Sequence, residues 1–191
     1  AKGRPSDHPL IVHVDGRERV DAFAASLSPV AVRLLDAFWP GPLTVIVARR
    51  EGVAAAAAAG QPTIGLRCPA HPVAHALLVA AREAGVPGVA GPSANRFGRV
   101  SPTTARHVAD ELGDALFVLD GGPCRIGIES AIVDCSRERV GPVLLRPGVL
   151  GRARLEEAAG VAIRPADEDD PDAPKAPGTL ASHYAPKATV R

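Results

Sequence analysis

Short runs rich in Val, Ile and Leu alternate with amphipathic stretches along most of this chain. Strand-length runs interleaved with helix-length stretches are the pattern of an α/β domain, in which helices cover a largely buried sheet. The runs predict strands over 10–14, 43–48, 63–67, 86–90, 115–119, 130–134, 143–145 and 161–164. The stretches between them predict helices over 20–27, 30–38, 72–84, 102–112 and 152–159. Two helix ends are legible: Gly85 follows the third as a stop, and Ser101 with Pro102 opens the fourth as cap and first residue. Nineteen glycines and nineteen prolines cluster between the elements, as in Trp39-Pro40-Gly41-Pro42, Gly91-Pro92-Ser93, Gly121-Gly122-Pro123 and Arg146-Pro147-Gly148. Such clusters shape loops and let backbone amides approach a ligand, so they predict the walls of a site. From Pro165 the chain turns acidic, proline-rich and aperiodic, which predicts an extended linker over 165–191 after a domain spanning 1–164.

Composition removes several classes of function. A chain of 191 residues suits one domain burying about 70% of its unfolded surface, enough for a core and a cleft. No run approaches the roughly 20 apolar residues of a membrane-spanning helix. The N-terminus also lacks the charged stem, apolar centre and cleavage site of a secretion signal, so a cytoplasmic protein is expected. With no methionine and an abrupt opening at Ala1-Lys2-Gly3, a native N-terminal segment is expected to be missing. Cys68, Cys124 and Cys135 are odd in number and lack C-x-x-C spacing, which predicts reduced, mostly buried thiols. His71 and His75 stand four apart at a helix start without a third ligand or adjacent Glu, so no protein-held metal is expected. A net charge of +1 gives no field to hold a polyanion. All but three of the 22 basic residues are arginine, a bias that reads as a GC-rich coding sequence.

Three constellations could do chemistry. Lys2 and Arg4 precede the first strand and could grip phosphates, or they could belong to a solvated tail. The stretch from Gly91-Pro92-Ser93-Ala94-Asn95 to Ser101-Pro102-Thr103-Thr104 offers amides, hydroxyls and a helix N-terminus to an anion, or Ser101 merely caps its helix. Its spacing is not that of a P-loop. Arg67 ends a strand, where α/β sheets place ligands; it could fork a carboxylate or pair with a structural Asp.

In order and in register, these segments resemble the YrdC-like family of threonylcarbamoyl-AMP synthases, specifically its longer members with a linker and a second domain. The matching segments are K-x-R-P with P-L-I-V-H-V, F-W-P-G-P-L-T, G-L-R-C-P, G-P-S-A-N with S-P-T-T, G-I-E-S-A-I-V-D, L-L-R-P-G and H-Y-A-P, running from Lys2 to Pro186. The resemblance implies a YrdC-like α/β domain with a twisted sheet of mixed parallel and antiparallel strands, flanked by helices, around a concave cationic cleft. It implies an enzyme that condenses L-threonine, bicarbonate and ATP, with Mg2+, into threonylcarbamoyl-AMP and pyrophosphate. The product would pass to a transferase that modifies tRNA.

Carried over by position, Lys2 and Arg4 would be catalytic, and Arg4, His8, Thr63, Ser93, Ser101, Arg146 and Tyr184 would contact ATP. His13, Arg67, Gly91 and Ser130 would hold threonine. The sequence departs from the family in lacking the upstream P-T-E-T-V-Y-G-L segment of the threonine pocket. It also has His8 in place of the usual Asn, and no basic residue between Gly178 and His183. Two rivals stand beside this reading: a carbamoyltransferase-type domain using carbamoyl phosphate and ATP, and an RNA-binding module, or weak RNA binding alone. The second is poorly served by 3% aromatic residues and scarce lysine.

Overall fold

The structure is a computed structural model that describes residues 3, 5, 7–113, 115–167 and 169–178. Among these residues seven strands form one sheet: β1 (Ile11–His13), β2 (Leu43–Ala48), β3 (Thr63–Arg67), β4 (Val89–Ala90), β5 (Ala131–Asp134), β6 (Val143–Arg146) and β7 (Arg164–Pro165). Their spatial order is β4-β1-β3-β2-β5-β6-β7. Pairings β1 with β3, β2 with β5 and β6 with β7 are parallel, while β1 with β4, β2 with β3 and β5 with β6 are antiparallel. The sheet is therefore mixed, as the resemblance implied. Among the described residues four helices accompany it: α1 (Pro29–Phe38), α2 (Pro72–Glu83), α3 (Ala105–Leu112) and α4 (Arg152–Ala159).

Period-two alternation divides the strands between two faces. Val12, Val45, Val47, Ile64, Leu66, Ala131 and Val133 point into the main core, against α1 and α4. Helix α1 is built for that contact. Pro29 sits in its first turn, the Ser28 hydroxyl accepts from the Ala31 amide (3.2 Å), and Ala31, Leu34, Leu35 and Phe38 make its buried stripe. Full burial of each larger side chain stabilises the fold by about 1.5–3 kcal/mol. Arg33 donates to the Ala159 carbonyl (2.7 Å), tying α1 to the C-terminal end of α4, where a cation is favoured. The opposite face carries a small cluster of Ile11, Ile46, Ile132 and Ala176 with Leu145 packed against it, and polar side chains stand around that cluster.

Several expected elements differ. The helix over 20–27 is a 3-10 turn, Arg17–Ala22, because the next residues pair with the chain around the end of β2. Ala25 donates to Ala48 (2.9 Å) and Arg50 to Phe23 (2.7 Å). The helix over 102–112 begins only at Ala105, and its cap is Thr104, whose hydroxyl accepts from the His107 amide (3.2 Å), not Ser101. The run 115–119 is not a strand; Leu116, Phe117 and Leu119 lie exposed outside the sheet. The strand over 86–90 shrinks to β4 because residues 84–86 finish α2. There Gly85, at φ +84°, donates to Arg82 and Val86 donates to Ala81, the left-handed stop expected of Gly85. The strand over 161–164 moves to Arg164–Pro165. Of the three thiols, Cys68 and Cys135 are buried and Cys124 is exposed.

The acidic segment does not run free. Asp170 folds into turns and accepts from Arg137 (2.6 Å), which also holds the buried carboxylate of Asp134 (2.8 Å). Farther on, the Lys175 amide donates to the Gln61 side chain (2.8 Å) and Ala176 is buried, so this strap lies across the polar face of the sheet.

Candidate functional site

The face opposite the main core holds the chemistry. In β3, Thr63, Gly65 and Arg67 alternate with the buried Ile64 and Leu66. A Cβ at Gly65 would stand 3.5 Å from Thr44 and 3.8 Å from Ile11 and Ile46, which puts these residues on one surface. A register shift between Ile132 and Val133 brings Arg146 of β6 opposite Ile132. Arg146 is 5% exposed. It donates from Nε to the Ser130 carbonyl (3.0 Å), from Nη2 to Ser130 Oγ (3.1 Å) and from Nη1 to the Pro177 carbonyl of the strap (2.7 Å). Ser130 Oγ in turn shares a hydrogen bond with Thr44 Oγ1 (2.9 Å). Gly148 allows this closeness: a Cβ there would strike the Ala131 amide and lie 2.9 Å from the Glu129 carbonyl.

These groups line a cavity of about 230 Å³ formed by Leu10, Ile11, His13, Arg67, Gly91, Pro92, Ser93, Glu129, Ser130, Arg146 and Pro177. Arg67 donates from Nε to the Gly41 carbonyl (3.2 Å), within the turn that follows Trp39 and Pro40. Burial lowers its pKa, the neighbouring Arg146 adds to the lowering, and Glu129 opposes it. The guanidinium stays charged, so a half-buried cation, Arg67, and a buried one, Arg146, share one cavity. His13 packs against Gly91, where a Cβ would approach its ring to 3.2 Å. Burial, reinforced by the Arg67 charge, pushes the His13 imidazole down to about 4, against an opposing backbone hydrogen bond with Gly91. His13 is therefore neutral near pH 7, and its Nδ1 is buried without a hydrogen-bond partner among the described residues.

Beside this cavity a groove of about 500 Å³ runs between the N-terminal end of α3 and the loop 116–124, lined by Ser93, Ser101, Thr103, Thr104, Phe117 and Asp120 among others. Glu129 lines both spaces. Its Oε1 accepts from the Ser101 hydroxyl (2.5 Å), and its Oε2 stands 3.9 Å from Arg146 Nη2. A small chamber for a charged molecule thus opens beside a larger groove with hydroxyls of Ser93, Ser101, Thr103 and Thr104 on one side and the apolar Leu116, Phe117 and Leu119 on the other.

The structure brings His13, Arg67, Gly91, Ser93, Ser130 and Arg146 together in one cavity and sets Ser101 in the adjoining groove. Thr63 shares their face but lies under the strap, in a crevice with Gln61, Lys175 and Pro177. His8 lines neither space; its ring meets Phe97 edge-on at 5.3 Å. Lys2, Arg4 and Tyr184 lie outside the described residues. Sequence reasoning missed Glu129 and Thr44 as site residues. Thr44 had a signal, a lone hydroxyl inside the otherwise apolar strand Leu43–Ala48. Glu129 had a weaker one, an acid beside Ser130 in a loop where every other singled-out charge was cationic.

Comparison with known proteins gives a consistent picture. Residues 1–148 match the Sua5/YciO/YrdC family profile, described as "Telomere recombination". Residues 150–191 match the profile described as the C-terminal domain of threonylcarbamoyl-AMP synthase. The whole chain aligns with the threonylcarbamoyl-AMP synthase of Pyrococcus abyssi at 41% identity, covering 55% of that protein. It aligns with that of Bacillus subtilis at 40% identity, again over the whole chain and 54% of the relative. The chain thus spans about half the length of these curated relatives. Among solved structures, P. abyssi Sua5 complexed with L-threonine superposes with a TM-score of 0.87 at 39% identity, over 98% of this chain and 54% of that one. Escherichia coli YciO superposes at 0.62 with 22% identity, over 78% of this chain and 69% of that one, a likeness of fold.

Proposed function

Because this chain belongs to the Sua5/YciO/YrdC family, we propose that it is the catalytic part of a threonylcarbamoyl-AMP synthase. It condenses L-threonine, bicarbonate and ATP into threonylcarbamoyl-AMP and pyrophosphate, for delivery in the cytoplasm to a transferase that modifies tRNA. The observation that carries the reading is the pair of guanidiniums, half-buried Arg67 and buried Arg146, lining one chamber with Ser130 beside a larger groove. Such a site suits a small carboxylate beside a polyphosphate. The P. abyssi structure, named as a complex with L-threonine, supports the amino-acid half.

In this reading the threonine carboxylate sits on Arg67, with His13, Gly91 and Ser130 closing around the molecule. The amine, once it has added carbon dioxide, presents a carbamate oxygen to the α-phosphate of ATP. That oxygen forms the new P–O bond as pyrophosphate leaves, so no covalent enzyme intermediate is required. Catalysis then consists of alignment, charge neutralisation and exclusion of water. Ser93, Ser101 and Arg146 would hold the nucleotide, joined by Lys2 and Arg4 as catalytic cations and by His8, Thr63 and Tyr184. Among the described residues no cluster of three His, Cys, Asp or Glu could hold a metal. Mg2+, which would neutralise phosphate charge, fits best as an ion delivered on the triphosphate and held largely by phosphate oxygens and water. Residues 1–164 would make the catalytic domain and 165–191 the linker that covers it.

The test is ATP-dependent release of pyrophosphate with threonine plus bicarbonate, set against release with carbamoyl phosphate. Turnover only with the first pair is expected; turnover only with carbamoyl phosphate would replace the proposal with carbamoyl transfer. Arg67→Ala should abolish threonine binding in calorimetry while sparing ATP, and equal loss of both would refute the division of roles.

A further inference from the structure

We propose that Glu129 recognises the α-ammonium group of the amino acid, an assignment that rests on reading the 230 Å³ cavity as an amino-acid site. The argument is electrostatic. Among the described residues, the charged side chains lining that cavity are Arg67, Arg146 and Glu129. An amino acid arrives as a zwitterion, and an ammonium placed between two guanidiniums is repelled unless a carboxylate stands close by. Glu129 is the carboxylate in this lining, and His13, neutral near pH 7, cannot take its place.

The geometry suits the role. Ser101 donates to Oε1 at 2.5 Å, which holds the side chain in one orientation. Oε2 lies 3.9 Å from Arg146 Nη2, beyond hydrogen-bonding reach, and so retains capacity to accept from a ligand N–H. Because Glu129 also lines the groove, the ammonium it holds is presented on the side from which a nucleotide would be met. An α-amino acid would then be told from the corresponding hydroxy acid by one charge-assisted hydrogen bond, a discrimination of about 10- to 100-fold.

The experiment is calorimetry on the full chain with L-threonine and with the analogue that carries a hydroxyl in place of the amine. Wild type is expected to prefer threonine by about that factor. Glu129→Gln, which keeps the size and still accepts from Ser101, should lose most of the preference while binding the hydroxy acid as well as wild type does. A preference intact in Glu129→Gln, or an equal loss for both ligands, would overturn the assignment and leave Glu129 as a prop for Ser101 and Arg146. Wild type that binds neither ligand would instead remove the amino-acid reading, and this inference with it.

Discussion

Gly148→Ala tests whether the site depends on two loops meeting backbone to backbone. The added Cβ would collide with the Ala131 amide and lie 2.9 Å from both the Glu129 carbonyl oxygen and the Ser130 carbonyl carbon. All three neighbours are main chain, so no rotamer change relieves the contact, and either β5 or the segment after β6 must move. Overpacking of this kind costs about 1–3 kcal/mol. The movement also stretches the bonds from Arg146 to Ser130, charge-assisted contacts worth about 1.5–3 kcal/mol each when whole. A net loss of about 2–4 kcal/mol follows, or roughly 5–15 °C in Tm for a domain of this size. Urea unfolding followed by the fluorescence of Trp39, the single tryptophan, measures it. Trp39 is a suitable probe because its indole N–H is held by the Leu43 carbonyl at the head of β2 (2.9 Å). Threonine affinity should fall at least tenfold. Gly151→Ala serves as the control: it has no atom within 4 Å of its added Cβ and should cost less than about 1 kcal/mol. Equal midpoints for the two variants, with wild-type affinity in both, would refute the reasoning.

Two further outcomes follow from burial. The unfolded chain protonates His13 near its ordinary 6.5, but the folded chain does so only near 4, so the unfolded state binds more protons between those values. Stability should therefore drop as pH falls through that window, by up to roughly 3 kcal/mol from this residue; His13→Gln should flatten the unfolding free energy against pH, and an unchanged slope would count against the buried imidazole. Burial also raises the Cys68 thiol to about 11 and the Cys135 thiol to about 12, while Cys124 is exposed. A thiol reagent should modify one of the three cysteines rapidly in the native protein and all three in denaturant; two or three fast sites would contradict the packing.

The parts of the fold legible in the sequence were those whose own periodicity settles them. Strands β2 and β3 and helix α4 have the expected bounds, and α1 starts one residue early. The failures are places where distant chain decides. Residues 23–25 read as helix because nothing local reveals their backbone bonds to 48–50. The apolar run 115–119 reads as a strand, yet it has no sheet edge beside it and forms a wall of the groove instead. Within the site, Arg67 was legible from its place at a strand end. That Ser93 and Arg146 meet beside it depended on the family resemblance, since Ser93 follows Arg67 by 26 positions and Arg146 follows Ser93 by 53. Glu129 stands beside Ser130 in the sequence but receives no role there, because an acid in a loop looks solvated until its neighbours are known.

Strand β3 serves two masters with five residues, Ile64 and Leu66 facing inward to oil, Thr63, Gly65 and Arg67 facing outward to polar work. Inserting or deleting a single position within it would swap the two sets, thrusting a guanidinium among hydrocarbon and an isoleucine into the chamber. A like-for-like exchange in that strand is thus borne more easily than a change in its length, and lineage variation in size should gather in the loops 49–62 and 136–142 instead.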